Sequence, residues 1–510
     1  MVFESFKTER TVVAHPNGIP NLKTGTLVTS AIHIFCGIVG AGVLALPRSL
    51  GWMGWVAGPL AIIAFYVVSL LCSWLLADVY EVDGVEKGRY HEIVRHILGA
   101  KFAIGVSTFQ LLNIFLINIA YTITAGNAMR TLATTACEWQ DIEPSDCWNT
   151  TWKLTLIFGA VEIFSSQVAN LEEAWWVSVI GVLTSLFYSF VALALGLKHA
   201  SNRLGSVGGL PGSNVEKAFE ILNALGAIGF AYSFSTILVE IQDTLKQPPR
   251  ASATMTQAIS IAVTGSFLFY FIVAIGGYAS LGDDVPSYIL DGLPGPKWVI
   301  FVANFCVLLH MWSAYQIFAH PMFDTLESNV AYYILKKRGT DSETPAKQVE
   351  GKADAPKEGA EGAEATLRRL SRVSAETNGR LQRVSAMYRV STGFVKEEVL
   401  EANPNAKHVS PVNWWQRFII RTIYVIITTI IGVVMPFFGA MAGLVGALAF
   451  YPLTVFFPIY CWRRVYKPQG WFNNMLWVVD IFMLLVCIGA TIASVRNIIN
   501  SWSSFKIFGD

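Results

Sequence analysis

The sequence predicts an all-α polytopic membrane protein of eleven spanning helices, arranged as two sets of five with one extra helix. Three observations predict it. Of the 510 residues, 53% are hydrophobic and 14% charged, and the mean hydropathy is +0.48. Soluble domains carry about 25% charged residues, so the deficit points to a lipid solvent. Second, several apolar runs continue over the ~20 residues that a membrane helix needs, without the period-two alternation of a barrel strand. Third, glycines interrupt the first apolar run and again the sixth, five spans later. Matching interruptions in two halves are the sequence mark of an inverted repeat.

Residues 1–25 are polar, contain Pro and Gly, and read as a cytosolic tail. Spans are expected near 26–48, 55–80, 102–131, 152–168, 172–197, 217–240, 257–281, 297–335, 414–435, 438–461 and 474–497. The first apolar run lacks a clear cleavage site and precedes more membrane-length runs, so it reads as a spanning helix and not a removable signal. The eighth is long enough to tilt or protrude. One membrane block therefore covers 26–338 with eight spans, and a second covers 412–498 with three. Residues 499–510 form a short extracellular tail.

Orientation follows from the loops. Arg463, Arg464 and Lys467 cluster after the tenth span, and Lys336, Lys337 and Arg338 after the eighth. The positive-inside rule makes both cytosolic, and an odd span count then puts the N-terminus inside. The 132–151 loop falls outside and is acidic, with Glu138, Asp141, Glu143 and Asp146. It also holds the glycosylation acceptor Asn149-Thr150-Thr151, close to the membrane edge. Cys137 and Cys147 share this loop, so a disulfide there fits an oxidising compartment, and two unpaired thiols are the other reading. The other cysteines, Cys36, Cys72, Cys306, Cys461 and Cys487, lie in or beside apolar spans without metal-ligand spacing.

The one long polar segment, 339–411, is rich in Lys, Glu, Ala, Gly and Ser in its first half, the composition of a disordered linker. Its second half places arginine two or three residues before Ser371, Ser374, Ser385 and Ser391. That pattern suits a basophilic protein kinase, whose phosphate would reverse the local charge. A plain basic loop drawn to anionic lipid is the other reading.

Ala31–Pro47 reads AIHIFCGIVGAGVLALP. Each interior glycine costs a helix about 1 kcal/mol relative to alanine. Unwound backbone at membrane depth survives only where protein buries it or where it lines a watery cavity. For this segment alone a small-residue packing face fits equally well, since Gly37 and Ala41 stand four apart. The sixth span then repeats the interruption with Gly226-Ala-Ile-Gly229-Phe-Ala-Tyr-Ser-Phe-Ser235. The pair favours a substrate site between two broken helices.

At this point the chain resembles the plant-type amino acid permeases of the amino acid/auxin permease family, within the APC superfamily. The resemblance rests on GIVGAGVLALP at Gly37–Pro47, GWVAGP at Gly54–Pro59, YTITAG at Tyr121–Gly126 and SSQVANLEEAWWVS at Ser165–Ser178. It extends through FAYSFSTILVEIQDTL at Phe230–Leu245, HMWSAYQIFAHPMFDTLE at His310–Glu327 and the long stretch Tyr424–Tyr460. The tract about 339–410 is longer than the usual loop there. The resemblance implies a LeuT-type fold and proton-driven import of amino acids.

An amino acid offers a carboxylate, an ammonium and a side chain. The carboxylate is expected at the N–H groups of Val39, Gly40, Ala41, Gly42 and Val43, where the positive end of the second half-helix begins. The ammonium is expected at carbonyls freed at Ile38 and around Phe230, Ala231, Tyr232 and Ser233, with the Ser233 hydroxyl as a further acceptor. Gln110, Asn113, Tyr121 and Thr124 share one face of the third helix at helical spacing. Such polar groups either line the interior or bond neighbouring helices; Tyr121 alone sits in a matched motif. Proton coupling needs a group that titrates near ambient pH, which histidine does. The resemblance carries this role to His33 and His310, the latter on a face with Cys306 and Ser313. Glu162, in mid-helix four, is costly to bury ionised and is a second proton candidate. Glu240 and Asp243 could gate the inner end of helix six with a basic residue such as Arg48 or Arg421, or be helix-terminal charges at the interface, the reading preferred for Asp243. The fifth-helix lysine that some related carriers use as a cation mimic is missing here.

The leading function is a plasma-membrane symporter that imports amino acids with a co-transported proton and needs no cofactor. A sodium-coupled or auxin-type carrier of the same fold, or an amino acid sensor with residual transport, are the alternatives. No metal cluster, Ser/His/Asp set or nucleotide loop supports an enzyme. No basic groove with interleaved aromatics supports nucleic-acid binding.

Overall fold

The computed structural model describes residues 23, 25–143, 145–167, 175–201, 205–341 and 412–504. They are almost wholly helical. In chain order the elements are α1 (Leu27–Ile38), a 3-10 turn at Ala41–Ala45, α2 (Leu46–Asp78), the strands β1 (Glu81–Val82) and β2 (Val85–Glu86), and α3 (Tyr90–Leu98). Then follow α4 (Ala100–Trp139), α5 (Thr151–Ser165), α6 (Trp175–Lys198), α7 (Asn214–Ala231), α8 (Ser235–Asp243), α9 (Ala251–Leu281) and α10 (Lys297–Asp341). The last elements are α11 (Trp414–Val434), α12 (Phe438–Ala449), a π-helical stretch at Phe450–Phe456, α13 (Phe457–Tyr466) and α14 (Trp471–Ser504).

Among the described residues, nine segments are long and apolar enough to cross a bilayer, against the eleven expected. Two expected spans fall short. The first stops after the 12 residues of α1 because the chain breaks there, and its second half runs on into α2. The fourth, α5, has 15 residues. Within α2 the helix parts again at Gly54, whose φ of 72° lies in the left-handed region that only glycine adopts freely. A Cβ there would strike the Val207 carbonyl oxygen.

Two short elements were not anticipated from the apolar runs. The β1–β2 hairpin pairs Glu81 with Glu86 and Val82 with Val85. Helix α3 buries Tyr90, Ile93 and Val94, the i, i+3, i+4 pattern of an amphipathic helix. Tyr80, just after α2, donates from its hydroxyl to Asp243 Oδ1 at 2.7 Å. The chain entering α1 pairs with the chain leaving α8, as Gly25 N–H donates to the Thr244 carbonyl at 2.8 Å and Lys246 N–H to that of Gly25 at 2.9 Å.

Two compact units are present. The unit of Thr24–Phe323 with Phe418–Asp510 holds every residue of the site described below. In the other, Arg417 pairs with Glu327 at 3.4 Å. Within the larger unit α7 and α12 approach closely through small residues, so that a Cβ on Gly446 would meet the Phe230 nitrogen. Helix α14 instead presents Ile481, Leu485, Ile488 and Ile492 outward, the apolar surface that lipid requires.

Candidate functional site

Both glycine-rich stretches are interrupted. Helix α1 ends as Val39 turns to φ −75°, ψ 92°, with its N–H still bonded to the Phe35 carbonyl at 2.9 Å. Gly40 starts the 3-10 turn and, lacking a side chain, caps none of the N–H groups that follow. Pro47 then opens α2 in its first turn, where the missing N–H costs nothing. On the other side α7 ends at Ala231, and Tyr232, Ser233 and Phe234 form tight turns before α8 starts at Ser235.

The two interruptions touch. An ideal Cβ on Gly42 would lie 2.6 Å from the Ala231 Cα, so the absence of a side chain lets the two backbones meet. One hydroxyl ties them together. Tyr270 of α9 donates to the Ile38 carbonyl at 2.5 Å and lies 3.4 Å from that of Ala231. This residue was missed from the sequence, although it is the lone hydroxyl in the run Phe267–Ile272 and that isolation was the available signal. The Ile38 carbonyl, expected at the ammonium, accepts from Tyr270 with one lone pair and keeps the other. Tyr270→Phe leaves that buried carbonyl without its donor, a loss of ~1–3 kcal/mol. A lower melting temperature in detergent, with the fold retained on size exclusion, is the expected reading.

His310 of α10 faces the same place. Its Nδ1 lies 2.8 Å from the Gly181 carbonyl of α6, and a carbonyl only accepts, so Nδ1 carries the proton and Nε2 of the neutral ring is an acceptor. That Nε2 is 3.6 Å from where a Gly40 Cβ would stand, the one neighbour within reach there. Tyr188 meets the His310 ring edge-on at 5.7 Å, and Ser313 donates to the Val177 carbonyl at 2.6 Å.

The remaining residues divide. Tyr121 is buried against Phe318, with centroids 5.7 Å apart. Phe230, Ala231 and Tyr232 are buried at the second interruption, and Ser233 is half-buried with its hydroxyl donating to the Gly229 carbonyl at 2.8 Å. Ala41, Gly42 and Val43 are buried at the first. Asn113 is buried with neither amide atom paired among the described residues, Gln110 is half-buried, and Thr124 donates to the Ala120 carbonyl of its own helix at 2.7 Å. His33 lies on the exposed face of α1, opposite the buried Ile34 and Ile38, and does not join His310.

Neither arginine named for the gate reaches the two acids. Arg48 stands beyond the first interruption, donating to the Val285 carbonyl at 2.7 Å and lying over the Trp52 ring at 4.9 Å. Arg421 donates to the Ser166 carbonyl at 2.8 Å. Neither meets Glu240, which is exposed in the field of Arg89, or Asp243, which accepts from Tyr80. Spacing along the chain gave no means of telling which end of a broken helix each arginine serves. Glu162 is fully buried on α5 and accepts from the Gln316 amide.

Cys137 and Cys147 form a disulfide, with Cα atoms 5.9 Å apart. Asn149 is half-buried and donates to Thr134 Oγ1 at 3.2 Å, immediately before α5 begins at Thr151. Ser371, Ser374, Ser385 and Ser391 lie outside the described residues. Among the described residues no group of three His, Cys, Asp or Glu could hold a metal ion.

Residues 23–500 match the family described as transmembrane amino acid transporter protein. The chain belongs to this family. Among curated relatives, probable amino acid permease 7 of Arabidopsis thaliana is 32% identical over 94% of this chain and 94% of that protein. Amino acid permease 4 of the same plant is 31% identical over 95% of each, and amino acid permease 2 is 30% identical over 95% of this chain and 90% of that protein. Among solved structures, Mhp1 with bound bromovinylhydantoin aligns over 96% of this chain and 95% of that chain at 13% identity, with a TM-score of 0.45. As a member of the family the chain is an integral membrane protein of amino acid transport.

Proposed function

We propose that this transporter imports amino acids into the cytosol across the plasma membrane, drawing on the proton gradient. The observation that carries the reading is the meeting of two broken helices at Gly42 and Ala231, beside the acceptor nitrogen of His310. The N–H groups of Gly40, Ala41 and Gly42, at the start of the 3-10 turn, hold the substrate carboxylate, aided by the positive end of the backbone dipoles; those of Val39 and Val43, expected there too, are bonded to the Phe35 and Gly40 carbonyls. Carbonyls at the end of α7 hold the ammonium. The side chain extends towards Tyr121, in the space shared by α4, α6 and α10.

Coupling follows from charge. A proton on His310 Nε2 places a cation beside the carboxylate cradle, so proton and substrate each tighten the binding of the other by the same factor. Acidification then lowers the KM for uptake. His310→Gln removes the titrating ring, and its KM is expected to stay constant between acid and neutral pH while that of the native protein falls on acidification. An identical pH profile in the variant would remove His310 from the coupling.

The disulfide supports an extracellular α4–α5 loop, since such bonds persist in oxidising compartments, and with it a cytosolic N-terminus. The deciding experiment reconstitutes the purified protein in liposomes and follows labelled amino acids under an imposed pH gradient or an imposed sodium gradient. Accumulation with the pH gradient alone is the expected result. Accumulation that requires sodium would overturn proton coupling.

A further inference from the structure

A second polar site lies away from the two interruptions, where α5, α10 and α11 meet. Glu162 has no solvent exposure and Gln316 has 4%. The Gln316 amide Nε2 donates to Glu162 Oε2 and to the Ser166 hydroxyl, the latter at 3.1 Å. The second oxygen of each side chain, Glu162 Oε1 and Gln316 Oε1, has no hydrogen-bond partner among the described residues. Glu162 makes no ion pair among them either. An ionised carboxylate only accepts, and so does an amide oxygen. The two therefore present the same unmet need in a place where an unpaired polar atom is costly.

We propose that Glu162 and Gln316 together form a proton-binding site, in which a proton on Glu162 Oε1 is shared with the Gln316 amide oxygen. One added proton turns one orphan acceptor into a donor and supplies the other with its partner. The two side chains already touch through Gln316 Nε2 and Glu162 Oε2, so a proton needs no further room, whereas a water or a metal cation between the oxygens would. A carboxylic acid and a primary amide then make two antiparallel hydrogen bonds, and the buried pair carries no net charge.

The surrounding groups fit this. Arg421 of α11 directs its guanidinium to the Ser166 main-chain carbonyl and over the Phe323 ring at 5.2 Å, and does not contact the carboxyl. The Tyr315 hydroxyl of α10 is engaged with Thr428 at 2.6 Å, and the Tyr424 hydroxyl of α11 accepts from Asn118 of α4 at 2.9 Å. On α5 itself the nearest other titratable side chain, Lys153, lies nine residues away and over Trp152. His310 sits six residues before Gln316 and bonds to α6, so it faces another helix. The pair and the His310 ring thus share no hydrogen bond. The consequence for transport of the proton on the pair rests on the function proposed above: discharge of the proton leaves a bare carboxylate between α5 and α10 and drives the two apart.

Infrared difference spectroscopy on the purified full-length protein in liposomes tests the site. A carbonyl stretch of a protonated carboxylic acid, shifted in deuterated buffer, is expected in the native protein and in His310→Gln and is lost in Glu162→Gln. The Gln–Gln pair of that variant keeps a neutral two-bond geometry, so it folds. Equal spectra for native protein and Glu162→Gln over the whole pH range would overturn the proposal. Uptake supplies the second reading, with Glu162→Gln expected to lose the inhibition of uptake seen at alkaline pH. Should uptake prove indifferent to pH in every variant, the coupling falls while the infrared band still decides the site.

Discussion

Gly42→Ala abolishes uptake, although it adds a single methyl group. The added Cβ would stand 2.6 Å from the Ala231 Cα and 2.9 Å from its Cβ. Neither neighbour is the end of a flexible side chain. The 3-10 turn and the end of α7 must therefore separate by the better part of an ångström. Misplacement of about 1 Å can cost a binding or reaction geometry roughly 100-fold, and the same displacement pulls Ile38 and Ala231 away from Tyr270. Initial rates of labelled amino acid uptake, normalised to surface protein, check this. An uptake rate within twofold of the native protein would show that the two interruptions do not form one site.

Gly40→Val gives the second large effect, for a different reason. A Cβ at Gly40 has room, its nearest neighbour being His310 Nε2 at 3.6 Å. The protein is therefore expected to fold and reach the surface. The valine methyls then fill the space between the carboxylate cradle and the imidazole. Each charge-assisted hydrogen bond lost is worth about 1.5–3 kcal/mol, so loss of two lowers substrate affinity by roughly 100-fold or more. Surface biotinylation together with a substrate-binding titration separates the two variants. Gly40→Val keeps the melting temperature and loses binding, whereas Gly42→Ala lowers both. Saturable uptake by Gly40→Val with an unchanged KM would show that Gly40 serves packing only.

The contrast between these glycines shows how far the sequence could be read. Helical spacing and apolar composition placed the membrane segments, and α7 with α8 spans 214–243 where 217–240 was expected. The interruptions were legible because glycine leaves a recognisable weakness in an apolar helix. Which glycine faces a backbone and which a histidine was not. Both occur in the same six residues with the same local chemistry, and the difference lies in what comes across from α7 and α10. Tyr270 and Gln316 went unmarked for a related reason, since one polar group in an apolar helix has many partners open to it until the neighbours are known. The arginines failed in the same way. Arg48 and Arg421 have the charge a gate needs, but charge along the chain does not say which carbonyl or ring will meet it.

What the sequence determined by itself is the solvent and the period: lipid for most of the chain, helices across it, and two places where those helices give way. These follow from local composition, which a single segment carries whole. What only the tertiary structure decided is the pairing of distant groups: Gly42 on Ala231, Tyr270 on Ile38, His310 on Gly181 and Glu162 on Gln316. Each joins residues on different helices, and no local rule orders helices that present nearly the same apolar surface to lipid. Packing and the satisfaction of buried polar atoms do that, and they exist only once the chain has folded.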